Sequence, residues 1–172
     1  LWNSDYRDEF TSESDAGNNL QTLTDALFYL DTGVKDKKLG IPLGINDACS
    51  SITCANNIES RYSNYTADNL ANNLASFLNI FRGGDGIGFD DQITEEGFAD
   101  VSQEFISDIN AATTALSNIT VPIYDQVLSI DTTGEEAQCA NAFANPDTPD
   151  DLSACTVYGL ILSLIHISEP TR

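Results

Sequence analysis

The chain has 172 residues, 27 of them acidic and 7 basic, for a formal net charge of −20. A surface of that sign repels phosphate backbones and anionic lipid, which argues against nucleic acid as a partner. No apolar run is long enough to span a bilayer.

The first apolar stripe joins Leu20, Leu23, Leu27, Leu30 and Val34 at steps of three and four, the spacing of one helix face. Asn18 or Asn19 is expected to cap its start, with Lys35, Lys37 and Lys38 at the negative end of its dipole and Gly40 and Pro42 as the stop. The three lysines also allow a rival reading as a cluster for an anionic ligand. A second stripe, Leu70, Leu74, Phe77 and Phe81, predicts a helix with Thr66 and Asp68 in its first turn and Gly83-Gly84 as its end.

The third stripe is the longest: Phe98, Val101, Phe105, Ile109, Ala112, Leu116 and Ile119, with Thr94 as the expected N-cap and Glu95-Glu96 after it. Pro122 then opens a shorter helix through Ile123, Val127 and Ile130. Beyond Thr132 the pattern is weak, and residues 145–151 (NPDTPDD) have the composition of an exposed loop. Single-stripe helices must bury their stripes against one another, so the expected fold is all-α, an antiparallel helical bundle.

The four cysteines fall in two local pairs. Cys49 and Cys54 are five apart in a polar loop, and Cys139 and Cys155 bracket the segment rich in Asn, Asp and Pro. Three connectivities exist; the spacing favours two short-range disulfides and an oxidising compartment, against a four-cysteine zinc site of unusual spacing.

The last eleven residues, 162–172 (LSLIHISEPTR), resemble the in-frame translation of a sequencing-library adapter. The native sequence is therefore expected to end at residue 161 and, since residue 1 is Leu, to be incomplete at both ends. This discounts His166, the chain's one histidine, as a metal ligand or general base. Without it, no serine or cysteine has an imidazole to activate it, and no catalytic residue is expected here. Acidic side chains crowd the turn at residues 83–91 (GGDGIGFDD), yet their spacing does not match an EF-hand loop. The expected role is structural, with Gly86 and Gly88 taking unusual dihedrals, Phe89 anchoring the turn on the core and Asp90 capping amides, while Asp91 completes the motif. The sequons at Asn64 and Asn118 have meaning only in a eukaryotic secretory pathway.

Taken in order, these pieces resemble the imelysin family, also called M75 peptidase-like proteins. The resemblance rests on residues 19–34 (NLQTLTDALFYLDTGV), 35–45 (KDKKLGIPLGI), the cysteine loop, 69–81 (NLANNLASFLNIF) and the turn 86–91 (GIGFDD). It implies a bacterial cell-envelope protein, periplasmic or in the outer membrane and often a lipoprotein, with an all-helical fold of two bundle-like halves. Residues 1–161 would supply one half and part of the other. It also implies a link to iron or another divalent metal, held by a GxHxxE motif that places His and Glu on one helix face. This chain has no GxHxxE, so the metal ligands are expected on polypeptide outside it. The same resemblance leaves open a metallopeptidase activity for the full-length protein, and a non-catalytic bundle that binds other proteins is the third reading.

Overall fold

The computed structural model describes residues 5–130, 139, 142, 144, 145, 149 and 152–166. Among these, every regular element is helical: α1 (Asp5–Phe10), α2 (Ala16–Leu27), a π-helix (Leu30–Gly40), α3 (Thr66–Phe81), α4 (Phe89–Glu95), α5 (Ala99–Ser117), α6 (Ile123–Ser129) and α7 (Ser153–His166). The all-α expectation holds. The side chain of His166, residues 167–172 and most of the 145–151 loop lie outside the described residues.

The second stripe folds as its spacing requires. Leu70, Leu74, Phe77 and Phe81 are all buried on one face of α3. Gly83 and Gly84, at φ of 66° and 61°, turn the chain away in the left-handed region that glycine enters without strain. From α5, Ile109, Ala112 and Leu116 meet the same core. Phe77, Phe81 and Phe105 form its aromatic centre, with ring centroids 4.9 to 6.2 Å apart. α5 packs chiefly against α7 and α3, and α7 packs in turn against the π-helix.

α6 begins after Pro122, as expected, and buries Ile123 and Val127. Its buried Gln126 donates to the Val121 carbonyl at 2.7 Å and accepts from the Ala154 amide at 2.9 Å, tying α6 to the first turn of α7. Both ends of that side chain are satisfied, as burial demands.

Three expectations need correction. The first stripe is not one α-helix: α2 stops at Leu27 and a π-helix runs from Leu30 to Gly40. Neither Asn18 nor Asn19 caps it; α2 follows Asp15, and the Asn19 amide instead donates to the Phe10 carbonyl. The third helix is also divided. Thr94 lies inside α4, its hydroxyl bonded to the Asp90 carbonyl at 2.7 Å, and Gly97 at φ 94° breaks the chain before α5. Phe98 sits at that break, 59% exposed, and is no part of the buried stripe. Finally, the weakly patterned C-terminal region contains α7, whose Ala154, Val157, Ile161 and Leu164 are fully or almost fully buried. Leu162 and Leu164 thus complete the core although they fall in the segment attributed to an adapter.

Candidate functional site

The π-helix is the unusual element of the fold, and such helices recur at functional sites. Its backbone closes wide loops, with the Ile41 amide on the Asp36 carbonyl at 2.8 Å and the Ile45 amide on the Gly40 carbonyl at 2.9 Å. Leu30, Val34 and Leu39 anchor it in the core. The lysines expected at a helix end lie within it. Lys35 is 14% exposed, with its ammonium 2.8 Å from Asp31 Oδ1 and 3.0 Å from Asp36 Oδ1. Tyr158 of α7 is buried against the same segment, its ring edge 3.4 Å from where a Cβ on Gly40 would stand.

The electrostatics follow from this packing. Burial pulls the Lys35 ammonium down, but hydrogen bonds to Asp31 and Asp36 outweigh it and hold the group above its ordinary 10.5. Burial likewise pushes the Tyr158 phenol above 10.0, against the pull of nearby Lys35. Both groups move away from neutrality. At pH 7 Lys35 is therefore charged and Tyr158 neutral, the states that their contacts with Asp31, Asp36 and the packed bundle favour.

The second lysine is also committed. Lys38 lies 2.9 Å from Glu59 Oε2, donates to Asn73 Oδ1 at 3.5 Å, and stands 6.0 Å from the Tyr29 ring centroid. Only Lys37 of the three is exposed to solvent without a carboxylate in contact, which leaves little charge for an anionic ligand. Beside the π-helix, Leu27, Phe28, Phe77 and Phe105 line an apolar cleft of about 260 Å³ with Thr24 and Asp31 at its edge.

The acidic turn does not converge either. Asp91 Oδ2 accepts from the Gly88 amide at 3.0 Å at the start of α4, so Asp91 performs the capping expected of Asp90. Asp90 instead lies 3.8 Å from Arg82 Nε. Gly86 and Gly88 have no positive φ; Gly83 and Gly84 do. Gly88 is required for space, since a Cβ there would fall 2.3 Å from the Arg82 carbonyl carbon. Phe89 is half-buried and does pack against the core.

Cys49 and Cys54 form one disulfide, and Cys139 and Cys155 form the other, so none of the four thiols is free for zinc. Among the described residues, no three His, Cys, Asp or Glu side chains come together as a metal would need. These residues do not fit an iron or zinc centre.

The family model of imelysin, Peptidase_M75, matches residues 1–147. The chain belongs to the imelysin family. No curated protein and no solved structure gives a significant match. Within this imelysin-family chain, the ion pair of Asp31 and Lys35 was visible in the sequence as charges four apart. Asp36 and Tyr158 were not, since their approach depends on the π-helix and on α7.

Proposed function

We propose that this imelysin-family chain belongs to a bacterial cell-envelope protein, periplasmic or in the outer membrane, that takes part in iron or other metal uptake. The metal ligands lie outside the described residues. Family membership over residues 1–147 carries this reading, and the two disulfides suit an oxidising compartment. No helix among the described residues is long and apolar enough to cross a membrane. A lipid anchor outside these residues is part of the proposal and does not follow from that.

Two measurements test the main proposal. Titration of the purified chain with ferrous iron and with zinc should show only weak binding, of the kind exposed carboxylates give. A tight one-to-one site would mean that the ligands are here after all. Cell fractionation should place the natural protein in the envelope, and recovery in the cytosol with reduced cysteines would remove the uptake role.

The family's peptidase designation favours one second reading, that the natural protein hydrolyses peptides with a metal-activated water. Natural protein loaded with iron or zinc should then cleave a mixed peptide library. Intact peptides after prolonged incubation would dismiss it.

A further inference from the structure

Between the first disulfide and α3 the chain makes a short loop, residues 58–65, that the proposed function does not use. Its shape is fixed from within. The Thr66 hydroxyl donates to the Glu59 carbonyl at 2.6 Å, and the Asn69 amide donates to Ser60 Oγ at 3.0 Å. The hydroxyl and amide of Ser63 both reach the Ser60 carbonyl at 3.0 Å. Lys38 holds the Glu59 carboxylate. These tethers keep Ser60 and Asn64 at φ 57°, a conformation non-glycine residues seldom adopt and one that recurs where loops hold ligands.

The loop presents two tyrosines to solvent, Tyr62 at 85% exposure and Tyr65 at 60%. Arg61 stacks on Tyr62, with its guanidinium carbon 4.6 Å from the ring centroid, and donates to the Tyr62 hydroxyl at 2.6 Å. Its other nitrogen reaches Oδ1 and the carbonyl of Asn56. All these acceptors are neutral. In a chain of net charge −20, where Lys35, Lys38 and Arg82 each stand beside an acid, Arg61 is held in place with no carboxylate of the described residues in ion-pair contact. Asn64 continues into the wall of a cleft of about 360 Å³ that Asp68, Thr113, Ser117 and Thr120 also line.

Each part matches one feature of a charged sugar. Exposed tyrosine rings offer flat apolar faces to the C–H side of a pyranose while their hydroxyls stay wet. Amide and hydroxyl groups in the cleft can bond its hydroxyls. A pre-positioned guanidinium takes a carboxylate through two parallel hydrogen bonds. Single-stranded nucleic acid would also stack on such rings, but it brings a phosphate with every nucleotide to a chain of net charge −20, whereas a sugar with one carboxylate needs only the one cation that Arg61 supplies. We propose that loop 58–65 and the adjoining cleft form a binding site for a carboxylate-bearing saccharide. This site is independent of the metal-uptake reading.

Isothermal titration of the full chain with three probes tests it: a peptidoglycan disaccharide bearing N-acetylmuramic acid, a disaccharide bearing a single galacturonate, and neutral chitotriose. At least one of the carboxylated probes should bind about tenfold more tightly than chitotriose, and which one does distinguishes a wall glycan from a uronate-bearing saccharide. Tyr62→Ala and Tyr65→Ala should each weaken binding about tenfold with an unchanged circular dichroism spectrum. Arg61→Gln should level the carboxylated and neutral probes. No binding of either carboxylated probe at millimolar concentration, or equal affinity in the Tyr62→Ala/Tyr65→Ala double variant, overturns the proposal.

Discussion

Lys35 shows how one side chain can set the pH range of a fold. Its ammonium is hydrogen-bonded in the folded state and free in the unfolded chain, so its folded pKa is raised. The stability it contributes is complete below the unfolded value of 10.5 and is lost as pH climbs through the folded one. Tyr158 acts in the same direction, because the unfolded phenol ionises at 10.0 before the buried one does. Thermal melts should therefore begin to fall near pH 10 and keep falling above it, and Tyr158→Phe should soften that decline. Lys35→Met keeps the packed stem but leaves Asp31 and Asp36 with no cation between them. The loss expected in denaturant titration is about 2 kcal/mol, below that of a fully buried pair because both carboxylates are partly wet.

Glycine gives a second contrast at this scale. Gly88 has an ordinary φ of −106°, yet a methyl group there would strike the backbone of Phe81 and Arg82. Gly86 has open space, with its nearest neighbour at 3.4 Å. Gly88→Ala should cost more than about 2 kcal/mol, and Gly86→Ala less than about 0.5. Equal losses in chemical denaturation would mean that the turn is held differently. Sequence alone identified a glycine-rich turn but not which glycine was indispensable, because the crowding comes from backbone atoms several residues away.

Among elements, legibility tracked regularity. α3 follows a plain 3.6-residue rhythm and could be traced residue by residue, since each stripe position is buried. The π-helix could not be foreseen: Leu27, Leu30 and Val34 look alike in an α-helix and in a helix with wider turns, and the hydrogen-bond pattern alone separates them. Gly97 gave a local hint of the break between α4 and α5, outweighed in the sequence by the flanking apolar spacing. α7 is apolar on most of its surface because α5, α6 and the π-helix all cover it, so no single stripe stood out. The disulfides belong to this scale as well. Cys139–Cys155 spans 16 residues and Cys49–Cys54 spans 5. Replacing Cys139 and Cys155 by serine should cost about 3 kcal/mol, and replacing Cys49 and Cys54 about 2, in line with loop-closure entropy. Thiol titration of native protein should find no free sulfhydryl, and four after reduction and unfolding; four in the native state would restore the zinc alternative.

For the molecule as a whole, charge is the strongest influence on stability that packing does not explain. Among the described residues a net −20 is opposed by only a few ion pairs, so self-repulsion should weaken the fold at low ionic strength. Moving from about 10 to about 150 mM salt shortens the screening length from roughly 30 to 8 Å. The melting temperature should rise over that interval, and a fall would show that the surface ion pairs outweigh the repulsion. The tyrosine and arginine loop was equally hidden at the level of sequence, where Tyr62 and Tyr65 fall on no apolar stripe. Their exposure, and the neutral grip on Arg61, arise from hydrogen bonds between residues 56 and 69 that no periodicity encodes.

α2 buries no residue completely; Leu20 is 48% exposed, and only partly covered side chains such as Leu27 join it to the core. It rests on the bundle like a splint on a limb. Its amides should exchange with deuterium orders of magnitude sooner than those of α3, and a brief protease treatment should clip the chain before Phe28 while leaving the rest folded.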